Sequence, residues 1–177
     1  PDAEIFWHHG DGDGIAAGSS LCEIEGDARA MLTAERTALN FLQTLSATAT
    51  ATRRYVDAIK GTNAVIVDTR KTLPGLRLAQ KYAVKIGGGR NHRMGLYDAI
   101  LIKENHIAAA GSIPAALTAA RNSAPKDVTI EIEVENIGQL REALAANADR
   151  LLLDNFSVEE LKIAVAAPIG ELVAFCG

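Results

Sequence analysis

Two cysteines in 177 residues, Cys22 and Cys176, have neither metal-ligand nor CxxC spacing. That excludes a cysteine-rich zinc module and reads as two free thiols in a reducing cytoplasm. Aromatic residues are scarce at 5%, which disfavours an aromatic-cored β-sandwich, and the abundant alanine suits helices packed tightly on sheet. No apolar run approaches the ~20 residues needed to span a bilayer, and no signal-peptide pattern opens the chain. The Walker pattern GxxxxGK[ST] is missing, which disfavours that kind of nucleotide site. A net charge of −4 argues against broad nucleic-acid binding. No serine, cysteine or threonine stands in a convincing activated arrangement, which points away from covalent catalysis and towards positioning and electrostatics.

What the chain does have is a local excess of positive charge. Residues 70–106 hold eight Lys/Arg and two His against two carboxylates, while the remainder runs ten basic to twenty acidic. An excess of that size within an acidic protein suggests a site for a multiply anionic small molecule. It is gathered in three knots, Asp68–Thr72, Gly87–Arg93 and Ile102–His106. Two of them follow short apolar runs, Ala64–Val67 and Ala99–Ile102. An apolar run ending abruptly in charge is how a buried parallel strand reaches the functional rim of an α/β fold.

The length fits one ordinary domain, or one domain plus part of another. The first thirty residues read as β structure: a strand at Ile5–Trp7, a turn at Gly10–Gly14 and an alternating strand at Leu21–Ile24 closed by Gly26. From Ala30 to about Ile59 the period is helical, with a break expected where Ala and Thr alternate over 46–52. After Gly61, strands are expected at 64–67, 99–102, 128–134, 150–153 and 171–175, with a short extended piece at 84–86. Helices are expected near 74–83, 112–123, 136–147 and 157–166, the last three started by Ser112 with Pro114, Asn136 and Ser157. Repeated β-then-α order implies a parallel sheet, either a barrel or an open doubly wound sheet.

The strand Thr129–Glu135 bears on that choice. Glu131, Glu133 and Glu135 share one face and the aliphatics the other. In a barrel the aliphatics would meet the helices and the glutamates would line the interior, where they would need cations. A half-exposed strand with a solvated polar face is the competing reading, and the bracketing basic knots favour the barrel.

Among the motifs, Arg70 offers a planar fork for a carboxylate or phosphate, and Lys71 a compact charge. Gly87–Gly89 followed by Arg90, Asn91, His92 and Arg93 suggests an anion pocket, with the glycines as a phosphate cradle. Lys103 ends an apolar run, where a solvated lysine is less expected than on a helix face. Glu133 and Asp154 are strand-end carboxylates, able either to hold Mg²⁺ jointly with a phosphorylated substrate or to serve as salt-bridge partners of the basic cluster. Asp11-Gly12-Asp13-Gly14 opens like an EF-hand loop, but Ile15 occupies a ligand position, so a turn is the better reading. His8-His9 is too short for a metal site.

Six ordered segments, Thr33–Gln43, Asp68–Arg77, Gly87–Leu96, Ile102–His106, Glu131–Asn136 and Leu153–Phe156, closely resemble the quinolinate phosphoribosyltransferases. The resemblance implies a type II phosphoribosyltransferase fold in the α/β class: an incomplete TIM-like α/β barrel preceded by part of an N-terminal α/β sandwich. Residues 1–60 would then be the end of the sandwich domain with connecting helices, and 61–177 an apparently truncated barrel domain.

The resemblance also implies a pentosyltransferase reaction. Phosphoribosyl passes from phosphoribosyl pyrophosphate to quinolinate with decarboxylation, giving nicotinate mononucleotide, pyrophosphate and CO2 with Mg²⁺, in the cytoplasmic synthesis of NAD. Carried over motif by motif, Arg36, Arg70, His92, Arg93 and Lys103 should surround the quinolinate carboxylates, with Arg36 reaching in from the partner of a homodimer. Lys71 should lie between quinolinate and the sugar phosphate, and Glu133 and Asp154 should serve the ribose and the Mg²⁺-bound pyrophosphate. The pattern departs after Glu160: Ala174–Gly177 stands where a phosphate-binding loop is expected, and Ala47 and Asn147 replace expected glycines. These departures suggest a piece of a larger enzyme. The alternatives are a molybdate-transport-associated paralogue of the same fold, or an inactive fragment serving as an anion-binding or dimerisation module.

Overall fold

The computed structural model describes residues 3–126, 128–166 and, for the backbone, 171–174. They form two compact units that meet in sequence at Met94/Gly95.

In the first unit, alternating residues on either side of the glycine-rich turn pair as antiparallel strands, β1 (Ala3–Trp7) and β2 (Cys22–Gly26), with Ile5 opposite Ile24. Cys22 is a half-buried free thiol. Asp27 then caps α1 (Ala28–Ala58), accepting from the backbone N of Ala30 at 2.9 Å.

The helix runs on through 46–52, where the sequence suggested a break. Low propensity is overridden there by tertiary packing. Thr48 and Thr52 return their hydroxyls to the carbonyls of Thr44 and Thr48 at 3.1 and 2.9 Å. Thr52 is the buried residue of the helix, and it lies under the end of α2 (Arg77–Ile86).

The extended piece expected at 84–86 is the last turn of α2. The strand expected at 64–67 is reduced to one parallel bridge, Val67 with Arg90, framed by Arg90 N to Ile66 O at 2.8 Å and Asp68 N to Arg90 O at 3.1 Å.

The second unit is a parallel sheet in the order β3 (Ala99–Ile102), β4 (Thr129–Val134), β5 (Arg150–Leu153), β6 (Glu171–Ala174). Helices α4 (Ile113–Ser123), α5 (Ile137–Ala145) and α6 (Val158–Val165) alternate with the strands. Their N-caps are Ser112, Asn136 and Ser157, each accepting from a backbone N–H three residues on, as the sequence predicted. A seven-residue helix, α3 (Glu104–Ala110), escaped notice because it starts straight from strand β3 and stops at Gly111, whose φ of 89° only glycine adopts readily.

Asn147 replaces an expected glycine and sits at φ 56°, a left-handed position that Asn tolerates. The residue expected to end the last strand, Phe175, and Cys176 lie outside the described residues.

The core settles the question raised by β4. Ile132 and Val134 are fully buried among Ile102, Leu151 and Leu153 and the helix residues Leu117 and Leu140, each large aliphatic contributing about 1.5–3 kcal/mol of burial. The alternate residues Glu131 and Glu133 are also buried, at 1% and 8% exposure. The face is therefore interior at Glu131 and Glu133, where the solvated-strand reading is wrong, while Glu135, just past the end of β4, is exposed. Among the described strands the sheet does not close into a barrel.

One close approach fixes the end of α2 against α1. A Cβ on Gly87 would lie 2.5 Å from Ala49 O and 2.7 Å from Thr52 Cβ, both on α1. Gly87→Ala is expected to cost about 1–3 kcal/mol, read as a lower thermal midpoint by circular dichroism. Gly14→Ala, where the added atom meets nothing within 4 Å, is expected to stay within about 0.5 kcal/mol. Equal midpoints for the two variants would show that α1 and α2 yield freely to one another.

Candidate functional site

Arg70, Lys71, Arg90, His92 and Arg93 lie on two segments, 70–72 and 90–94, both held from one side by α2. Arg77, Gln80 and Lys81 occupy positions i, i+3 and i+4 of that helix, so they share a face. Arg77 spreads its guanidinium over Thr72 Oγ1 at 3.3 Å, Arg70 O at 3.3 Å and Met94 O at 3.2 Å. Gln80 Oε1 accepts from Leu73 N at 2.8 Å. Lys81, 1% exposed, forms an ion pair with Asp68 and donates to His92 O at 3.0 Å. The same Asp68 oxygen accepts from His92 N at 2.9 Å. Asn91, its amide oriented by its neighbours, donates to the other Asp68 oxygen at 2.8 Å and to Lys81 O at 2.9 Å.

The arrangement brings the backbone of Arg70 and that of His92 under the control of one helix face. Arg70 is half-buried, and its Nε is sealed from solvent with no hydrogen-bond partner among the described residues, a donor suited to a ligand carboxylate. His92 and Arg93 are half-buried, and Lys71 is exposed, its N–H turned onto Thr69 Oγ1 at 3.0 Å. Arg36 is exposed on α1.

The glycine run is not a phosphate cradle. The N–H groups of Gly87, Gly88 and Gly89 go to the carbonyls of Ala83, Lys85 and Val84 at 2.9–3.0 Å, so none is left for an anion. Gly87 and Gly89 are buried against Thr52 of α1, and their smallness serves packing.

In the second unit, Lys103 and Glu133 meet at the C-terminal ends of β3 and β4. The lysine Nζ lies 3.1 and 3.0 Å from the two carboxylate oxygens, with the glutamate side chain buried and the lysine side chain 44% exposed. Lys103 N donates to His106 Nδ1 at 3.0 Å, anchoring the turn into α3. Asp154, at the end of β5, donates its N–H to Val134 O at 3.0 Å and accepts from Asn155 Nδ2 at 3.2 Å.

Among the described residues, no three of His, Cys, Asp and Glu gather as a metal cage. Glu133 already faces an ammonium with both oxygens, whereas Asp154 is half-buried and has carboxylate capacity to spare. The donors fit Mg²⁺ only in its usual manner, held by one or two carboxylates together with waters and substrate phosphates.

Sequence reasoning gave no role to Arg77 or Lys81 and named Asp68 only as a member of the first basic knot. The sequence carried no signal for them, because only the structure shows that on α2 Leu78 and Tyr82 are 73% and 51% exposed while Lys81 is buried. A helix that turns its polar set inward has something polar to hold.

Family models for the N-terminal and C-terminal domains of quinolinate phosphoribosyl transferase match residues 1–46 and 48–171. A nicotinate-nucleotide pyrophosphorylase [carboxylating] of Mycobacterium leprae is 51% identical over 161 residues, covering 91% of this chain and 56% of that protein. A probable enzyme of the same name from Bacillus subtilis is 52% identical, with 87% and 53% covered. The solved nicotinate-nucleotide pyrophosphorylase of Francisella tularensis superposes with a TM-score of 0.88 at 46% identity, covering 97% of this chain and 62% of that one. The chain thus spans about half the length of the curated relatives it matches. Two adjoining domain models in order, with identity near one half across nine-tenths of the residues, leave one conclusion: the chain belongs to the quinolinate phosphoribosyltransferase family.

Proposed function

We propose that this chain serves the transfer of phosphoribosyl from phosphoribosyl pyrophosphate to quinolinate, with decarboxylation to nicotinate mononucleotide. The observation that carries the reading is the convergence of Arg70 and His92 on one helix face, with a buried guanidinium nitrogen left to donate. Quinolinate is a dicarboxylate, and paired forks and imidazole donors are what two planar anionic groups require. Arg70, His92 and Arg93 take the carboxylates, and Lys103 has the same assignment in its own unit. Lys71 takes the junction of quinolinate and the sugar phosphate.

In the reaction the pyridine nitrogen uses its lone pair to form a bond to the anomeric carbon as the bond to pyrophosphate breaks, the leaving group departing with that electron pair. The carbon develops cationic character, which carboxylates such as Glu133 and Asp154 stabilise at the ribose. The quaternised ring then accepts the electrons of the carboxyl C–C bond, CO2 leaves, and the ring carbon takes up a proton. Mg²⁺ bound with the co-substrate supplies neutralisation of the departing pyrophosphate, with Asp154 as the group on this chain best able to hold it, directly or through water.

A homodimer belongs to the same reading. Ile5, Phe6 and Trp7 on β1 and Leu32 and Phe41 on α1 are all exposed, apolar surface of the sort a subunit interface covers. Arg36 lies exposed on the same helix, free to act in a neighbour's site. No helix among the described residues is long and apolar enough to cross a membrane, and we assign the enzyme to the cytoplasm.

The reading is tested by incubating the full-length protein with quinolinate, phosphoribosyl pyrophosphate and Mg²⁺ and separating nicotinate mononucleotide by chromatography. Product is expected, and its absence from folded protein would overturn the assignment. Arg93→Ala is expected to raise the quinolinate KM about 10- to 100-fold, the worth of a charge-assisted hydrogen bond, with phosphoribosyl pyrophosphate binding within about twofold. Equal losses for both would show Arg93 to be misassigned. Lys103→Met leaves Glu133 facing an apolar chain and is expected to cost about 1–3 kcal/mol in urea unfolding. Adding Glu133→Gln should restore part of that, and no recovery would show that the pair does not act as a unit.

A further inference from the structure

From the hydrogen bonds it makes, we infer that α2 is the positioning element of the anion site. In this inference Arg77, and Lys81 with its partner Asp68, act on substrate through the backbone that carries Arg70, His92 and Arg93. The inference rests on the proposed reaction for its substrate and on geometry for everything else.

His92 is clamped on both sides of its residue, since its N–H goes to Asp68 and its C=O to Lys81. Asn91, immediately before it, is tied to Asp68 and to the Lys81 carbonyl. Arg77 reaches Arg70 O and Met94 O from one guanidinium, so the distance between the two basic segments is set by a single rigid plane. Gln80 fixes Leu73 N at the far end of the first segment.

A sealed ion pair is a poor way to gain stability, because a well-packed apolar pair of similar volume often does as well or better. What apolar side chains cannot do is hold an amide N–H and a carbonyl at fixed places. The segments carry the residues assigned to two carboxylates on one rigid ring, and a shift of about 1 Å in such a setting can cost on the order of 100-fold. None of these three side chains is placed against the substrate here. They are positioning residues.

The test uses the full-length protein with Arg77→Lys, which keeps the charge but can reach only one of the three acceptors. A second variant, Asp68→Asn with Lys81→Met, removes both charges together, because Lys81→Met alone would strand a buried carboxylate and risk misfolding. Two readouts are taken: steady-state kinetics against each substrate, and amide hydrogen exchange over 70–73 and 91–94.

The expected result for both variants is a rise of about 10-fold or more in quinolinate KM, phosphoribosyl pyrophosphate KM within about twofold, and faster exchange confined to those segments. An unchanged quinolinate KM in both would overturn the inference. So would parallel losses for both substrates that track the folded fraction, which would mean a structural role only. If the wild-type protein turns over neither substrate, the proposed reaction fails on its own, and exchange at 70–73 and 91–94 still decides: unchanged protection in Arg77→Lys overturns the positioning role.

Discussion

A charge withdrawn from water has to be met by another before the chain can close around it. Both units of this protein are organised by that requirement, with different degrees of closure. In the first, Lys81 and Asp68 are almost entirely sealed, and they also hold the backbone of His92 and the side-chain amide of Asn91. In the second, Glu133 is buried but Lys103 is nearly half exposed. A sealed pair has no reason to exchange partners and acts as scaffold. A pair with one open end can part when a stronger anion arrives, which suits a residue assigned to ligand.

The legible parts of the fold were those where several local signals agreed. The strand at 99–102 is a continuous aliphatic run and that at 150–153 is one after Arg150, and each is followed in time by a capping residue and a helix. The alternating glutamates of β4 were legible too, because period two leaves only two faces and the aliphatic one had to meet the helices. The misreadings have two causes, a tertiary contact at Thr52 and a helix that runs further than local preference suggests. Threonines weaken an isolated helix, yet Thr52 is needed beneath the end of α2. Residues 84–86 look extended alone but complete a helix. Three glycines suggest an anion loop until the helix end is seen to consume their N–H groups.

For the candidate site, side chains with an obvious chemistry were legible and those with an indirect one were not. Arg70, Lys103 and Glu133 stood out because charge interrupts or ends apolar runs, and His92 and Arg93 because they follow a glycine run. Arg77 and Lys81 carry the same charge at positions of α2 to which the sequence attached no chemistry, and Asp68 lies in the loop that they hold. Their importance depends on which face of α2 turns inward, and that is decided by the loops it meets. Period alone names two faces of a helix without saying which is inside.

The boundary between the two matched family domains falls at residues 46–48, in the middle of α1, which runs unbroken from Ala28 to Ala58. Two evolutionary modules therefore share one hydrogen-bonded ladder about 45 Å long at 1.5 Å per residue. No flexible linker separates them at that point, so the helix transmits torque and bending from one to the other as a shaft does. Fraying or stiffening it at one end changes the mechanical load on the turns at the other, because neighbouring turns of one helix form cooperatively.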